Sequence, residues 1–222
     1  MTLLDPPCST AARARGDRRV GTAPPAHRWF LVEQDGAWGR TAWDGIDVRA
    51  HAQEALRTGL DAVGARLQLI RRPGARPVSG GRDRRWCAVD TATGAVRWGV
   101  ATCDSDLVRA AEVFGEAGLG SDGLGTEGTG TVDTQGPFPG IVLVCTHGLK
   151  DVCCAVRGRP VAAALAARWP EAVWETTHTG GDRFAANVVV LPDGAVYGGA
   201  DPDTAEADLA AHAAGRVDPN RL

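Results

Sequence analysis

Three cysteines and two histidines crowd one stretch of this 222-residue chain. Cys145, Cys153 and Cys154 lie in CTHGLKDVCC with His147 among them, and His178 and Asp182 follow in THTGGDRF. Thiolates and imidazoles are metal ligands, and soft sulfur donors suit zinc or iron–sulfur chemistry. Eight residues separate Cys145 from Cys154, enough for the chain to fold back and turn both sulfurs toward one ion or cluster. His178, and Asp182 four residues after it, could be aimed at the same place by a tight loop. The vicinal Cys153 and Cys154 cannot easily both bind one tetrahedral metal, so one of them reads equally well as a small buried hydrophobe. A zinc ribbon would show two CxxC knuckles, and a thioredoxin-type dithiol would show one. The chain has neither. Metal binding is therefore the leading chemistry. A thiol oxidoreductase using two of these cysteines is the alternative, and a structural zinc module is the third reading.

The elements around these residues can be read from local pattern. Residues 141–144 form an apolar run that ends at Cys145. Pro160 suits the first turn of a helix, with Val161, Leu165 and Trp169 on one face and Pro170 as its stop. Residues 173–176 read as a strand leading to His178, where Gly180 and Gly181 allow positive φ and a close approach to a bulky group. Residues 187–191 and 195–197 flank Pro192-Asp193-Gly194 as a hairpin. Asp201 can cap a last helix, with Pro202 in its first turn and Gly215 at its end. The order β-α-β, hairpin, α is that of a thioredoxin-like domain starting at its first core strand.

The preceding chain reads as mixed α/β. Residues 28–32 and 66–70 are strand-like, and 85–89 with 96–100 flank the turn DTATG as a hairpin. Residues 51–60 place Ala52, Ala55, Leu56 and Leu60 on one helical face. A second helix, capped by Asp104 or Ser105, carries Leu107, Val108, Ala111 and Phe114. Trp86 and Trp98 read as packing residues, and Cys87 and Cys103 as core cysteines. Residues 115–136 hold eight glycines and little that could enter a core. That composition predicts a linker or long surface loop. The expected organisation is a mixed α/β domain at 1–114, the glycine-rich segment at 115–136 and a second domain at 137–222.

A net charge of −3 and a pI near 5.9 leave no electrostatic footprint for nucleic acid or an anionic membrane. No apolar run approaches the roughly 20 residues of a membrane span. The first 20 residues lack the apolar core of a secretory signal, so a cytoplasmic location is expected. In a reducing compartment, clustered cysteines point to metal or redox chemistry rather than structural disulfides.

Two stretches, CTHGLKDVCCAVRGRP and WETTHTGGDRFAANVVVLPDGAVYGG, resemble the sucrase/ferredoxin-like family, as do CSTAARARGDRRVGTAP and RWFLVEQDGAWG nearer the N-terminus. The resemblance implies a thioredoxin-like [2Fe–2S] ferredoxin domain at 137–222. In the family pattern one iron is held by two cysteines spaced like Cys145 and Cys154, and the other by two histidines spaced H-x3-H. His178 matches the first histidine, and Asp182 stands where the second belongs. The fourth ligand is then Asp182 or Cys153, or the cluster is absent or labile. His147 matches the family's CTHG motif and reads as a loop-ordering hydrogen-bonding group. Asp151, Arg157 and Arg183 read as groups that orient the ligands. Cys8 matches the family's N-terminal cysteine, with no physical role assigned.

The resemblance implies one-electron transfer with a reductase or acceptor protein as partner, rather than bond chemistry on a small substrate. Nothing in the residues supports sugar chemistry, because no paired carboxylates are positioned for it. Imidazole in place of thiolate raises a cluster's reduction potential, as in Rieske centres.

Overall fold

The apolar runs become strands of one mixed α/β sheet. The computed structural model describes residues 8–75, 83–115, 118–119 and 138–222. The first run of chain contains helix α1 (Cys8–Arg15), strand β1 (Arg28–Glu33), the one-turn helix α2 (Ala42–Gly45), helix α3 (Ala50–Ala62) and strand β2 (Ala65–Arg71). A hairpin of β3 (Arg84–Asp90) and β4 (Ala95–Ala101) follows, then α4 (Asp104–Ala111) and the two-residue strands β5 (Phe114–Gly115) and β6 (Gly118–Leu119). The second run contains β7 (Ile141–Cys145), α5 (Val152–Arg168), β8 (Val173–Thr176), a 3-10 turn (Asp182–Phe184), β9 (Val188–Leu191), β10 (Ala195–Tyr197) and α6 (Pro202–Ala213).

Eight strands lie in the order β10-β9-β7-β8-β2-β1-β3-β4. Each run contributes four, and each repeats one plan. Its first two strands are parallel, with helix between them, and its hairpin adds antiparallel to the first strand. The runs join where β2 meets β8 antiparallel, pairing Ile70 with Thr176 and Arg71 with Glu175. An ion pair of 2.8 Å between Arg71 and Glu175 lies at this seam. The glycine-rich segment expected at 115–136 falls mostly outside the described residues, and the chain on its two sides shares the sheet.

Strand alternation divides the core. Phe30, Val32 and Leu69 pack with Leu56 and Leu60 of α3 and Leu107 of α4. Val142, Val144 and Val188 pack with Val161 and Leu165 of α5 and Leu209 of α6. The opposite faces meet in a cluster drawn from both runs, including Leu31, Ile70, Leu143 and Trp174, with Trp98 stacked on Trp174 at 5.8 Å between centroids. Burial on both sides explains why 141–145 is apolar at every position.

Several local expectations change. Pro160 lies inside α5 rather than in its first turn. The helix starts earlier because Asp151 caps it, its carboxylate accepting from the Cys153 amide at 2.7 Å. Cys153 and Cys154 therefore sit in the first helical turn. Lacking an N–H, Pro160 leaves the Val156 carbonyl without its helical donor, at a residue that is 67% exposed and open to water. The α4 cap is Cys103, which is exposed rather than in the core. Asp106 folds back to accept from the Thr102 and Cys103 amides, at 2.9 and 3.2 Å, which places the helix start there. Phe114 falls in β5, beyond the end of α4. Cys87 is buried in β3.

Candidate metal centre

The parallel strands β7 and β8 end side by side, with Cys145 in register with Thr176. Cys145 is completely buried at the end of its strand. The chain then turns through 146–151 and enters α5, which brings Cys154 back toward Cys145. Gly158 makes this possible. A Cβ at that position would lie 2.0 Å from the Cys145 carbonyl oxygen, so only glycine lets the helix cross the strand end this closely. His178 lies two residues beyond β8. Ligand atoms of Cys145, Cys154 and His178 come within 4.8 Å of one another, a group that could hold a metal ion. Cys154 Sγ and His178 Nδ1 are 3.7 Å apart.

The three groups are polarised. Hydrogen bonding from the Cys154 thiol, helped by His178 and the His147 and Thr179 amides, holds the Cys145 thiol well below its ordinary range despite burial. Cys154 is pushed up in turn, first by its bond to Cys145 and then by burial. The shared hydrogen bond thus favours ionisation at Cys145 over Cys154, and a cation bound by both sulfurs would displace the remaining proton.

The first run of chain fixes His178. His147 Nε2 donates to the Gly39 carbonyl at 2.6 Å, and its Nδ1 accepts from the His178 amide at 3.2 Å. Arg66, on β2, donates to the His178 carbonyl at 3.1 Å. Both amide groups of His178 are therefore held while its ring is left for the site. Gly180 and Gly181 take φ of 94° and 67°. The close neighbour at Gly180 is Pro24, which a Cβ there would meet at 2.7 Å. Asn187 donates to the carbonyls of Gly180 and Gly181 at 2.9 and 2.8 Å. The pattern of the sequence placed Asn187 in a strand and hid this role.

A second group lies alongside. Cys8 Sγ is 3.5 Å from Cys153 Sγ and 3.7 Å from Asp151 Oδ2, and the ligand atoms of all three lie within 4.8 Å of one another. Burial, Cys153 and Asp151 push the Cys8 thiol up to about 12. Cys153 thus points to Cys8 rather than joining Cys145, Cys154 and His178. Asp182 opens the 3-10 turn and belongs to neither group, though its charge raises both Cys8 and Cys154. Arg157 donates to Ser9 and Thr10 of α1 at 2.8 and 3.0 Å. Arg183 lies over the Phe184 ring at 4.7 Å.

Two thiols and an imidazole form a donor set suited to zinc or an iron–sulfur centre. Among the described residues no helix is long and apolar enough to cross a membrane. No curated protein and no solved structure matches the chain. The sucrase/ferredoxin-like family matches it over residues 19–219, nearly its whole length, and the chain belongs to that family.

Proposed function

We propose that the protein is a one-electron carrier that holds a [2Fe–2S] cluster on Cys145, Cys154, His178 and Asp182. The observation that carries this reading is the convergence of two sulfurs and one imidazole at the ends of β7 and β8 in a sucrase/ferredoxin-like chain. Such a cluster supplies one-electron transfer, at a potential set by its ligands and the hydrogen bonds to its sulfurs. The residues fit it. Hydrogen bonding lowers the Cys145 pKa, and the His147 and Thr179 amides that contribute to it are suitable donors to ligand sulfur. His147 has both ring nitrogens engaged and serves to orient rather than ligate.

Asp182 is preferred over Cys153 as the fourth ligand: Cys153 faces Cys8, whereas Asp182 carries a charge that acts on Cys154. A carboxylate is a harder donor than is usual for such a cluster, so the iron it holds is the one expected to be lost first. Electrons pass to and from a reductase or acceptor protein, and the cytoplasm is the compartment that keeps the remaining thiols reduced.

Anaerobic purification with iron and acid-labile sulfide analysis, followed by EPR of the reduced protein, tests this reading. A brown protein is expected whose signal is lost in Asp182→Ala and kept in Cys153→Ser. The reverse pattern makes Cys153 the ligand. Zinc without sulfide establishes the structural zinc module, and a metal-free protein with reductase activity establishes the thiol oxidoreductase.

A further inference from the structure

We propose that Cys8 and Cys153 are a reversible dithiol–disulfide pair that latches helix α1 to the start of α5, beside the metal centre, when a low-molecular-weight disulfide oxidises it. The formation of the bond is independent of the function proposed above. Its effect on the centre rests on that function.

Four of the six cysteines are accounted for elsewhere. Cys145 and Cys154 belong to the metal centre, Cys87 is buried in β3, and exposed Cys103 sits beside Ser105 at the start of α4. Cys8 and Cys153 face each other at 3.5 Å although 145 positions separate them. A disulfide needs its sulfurs at about 2.05 Å, so closure takes roughly 1.5 Å of approach. Cys8 can supply it, being exposed and first in its helix.

Helix α1 is held chiefly by polar contacts. Only Ser9 and Ala12 are buried on it. Arg157 reaches Ser9 and Thr10, and Arg13 reaches the Ala185 and Gly199 carbonyls at 3.3 Å each. The helix packs on the 3-10 turn that carries Asp182, and Cys153 precedes Cys154. A covalent tie between α1 and α5 would therefore fasten α1 directly beside two of the proposed ligands.

The accessible thiol reacts first. Cys8 sulfur attacks the disulfide RSSR, forming Cys8–S–S–R and releasing one RSH. Cys153 sulfur then attacks Cys8 Sγ, forming the Cys8–Cys153 bond and releasing the second RSH. Both protein thiol protons and two electrons end on the two RSH molecules.

The test incubates the full-length holoprotein anaerobically with glutathione disulfide, blocks remaining thiols under denaturing conditions and maps the peptides without reduction. The expected product is a Cys8 peptide joined to the peptide containing Cys153, lost on treatment with dithiothreitol, absent from Cys8→Ser and Cys153→Ser and retained in Cys103→Ser. A stable glutathione adduct on Cys8 with Cys153 still alkylated overturns the proposal. So does a cross-link that survives Cys153→Ser, which would assign it to Cys154. In the same samples, chelator-driven bleaching should slow several-fold in oxidised wild type and stay unchanged in Cys8→Ser. Equal bleaching despite a formed cross-link overturns the latch. A protein isolated without iron still reports the cross-link, so failure of the cluster reading is separable from failure of the pair.

Discussion

His147 and His178 are joined by a hydrogen bond from the His178 amide to His147 Nδ1 at 3.2 Å, while the opposite nitrogen of His147 donates to Gly39. One imidazole thus connects the turn after β1 to the loop after β8 and fixes the direction from which His178 approaches the sulfurs. Trp38 meets the His147 ring edge-on at 5.9 Å, holding its plane. Replacing His147 by Phe keeps the ring and removes both bonds. Loss of such an orienting partner typically costs about 10–100-fold in metal affinity, to be read by competition with a chelator. Unchanged affinity would shift control of His178 to Arg66.

Gly158 sets the distance between α5 and the end of β7. Gly158→Ala would force its methyl group into the Cys145 carbonyl. The expected cost is about 1–3 kcal/mol of overpacking strain in urea unfolding, accompanied by reduced metal content. Gly115→Ala, where an added Cβ would meet no atom of the described residues within 4 Å, is the control and should retain full metal content.

Asp106 makes stability depend on acid far from the metal centre. Amide and hydroxyl donors of Thr102 hold its carboxyl well below the usual value of 3.8, with Cys103 and Arg109 adding to the effect. A carboxylate depressed in the folded state stabilises above its unfolded pKa and loses that contribution as pH falls through the lower folded value. Asp106→Asn should therefore cost about 1 kcal/mol at neutral pH and flatten the loss of stability below about pH 4. An unchanged acid limb in the variant would rule Asp106 out as its source.

Metal removal should destabilise the second run of chain first. A ligand that binds only the folded state at 1,000 times its Kd contributes about 4 kcal/mol. Chelation under reducing conditions should lower the Tm by several degrees and increase hydrogen exchange at Cys145, Cys154 and His178 before it does so in β1 and β3. Equal exchange throughout would show that the site contributes no local stability.

The sequence made the scaffold readable where physics is local. Apolar runs at 141–145 and 188–191 became strands, and the cap at Asp201 began α6 as expected. The spacing of Cys145, Cys154 and His178 carried the candidate site because both strand ends and the helix start lie close in sequence. The rest depended on distant chain. Cys8 meets Cys153 across 145 positions, and α1 lacks an apolar stripe that would announce it. Gly158 gives no turn signal because its role is the proximity of Cys145. Pro160 is a common first-turn residue, but Asp151 caps the helix well before it, so it falls inside α5.

The seam between β2 and β8 gives the molecule the character of a tethered dimer. Each is the second strand of its own four-stranded unit, and they pair antiparallel, as equivalent strands do across an isologous two-fold interface. Two edges that would otherwise template aggregation cover one another. One unit carries the Cys145, Cys154 and His178 group, and the other, through Arg66 and Gly39, holds the His178 backbone and the His147 ring that orient it.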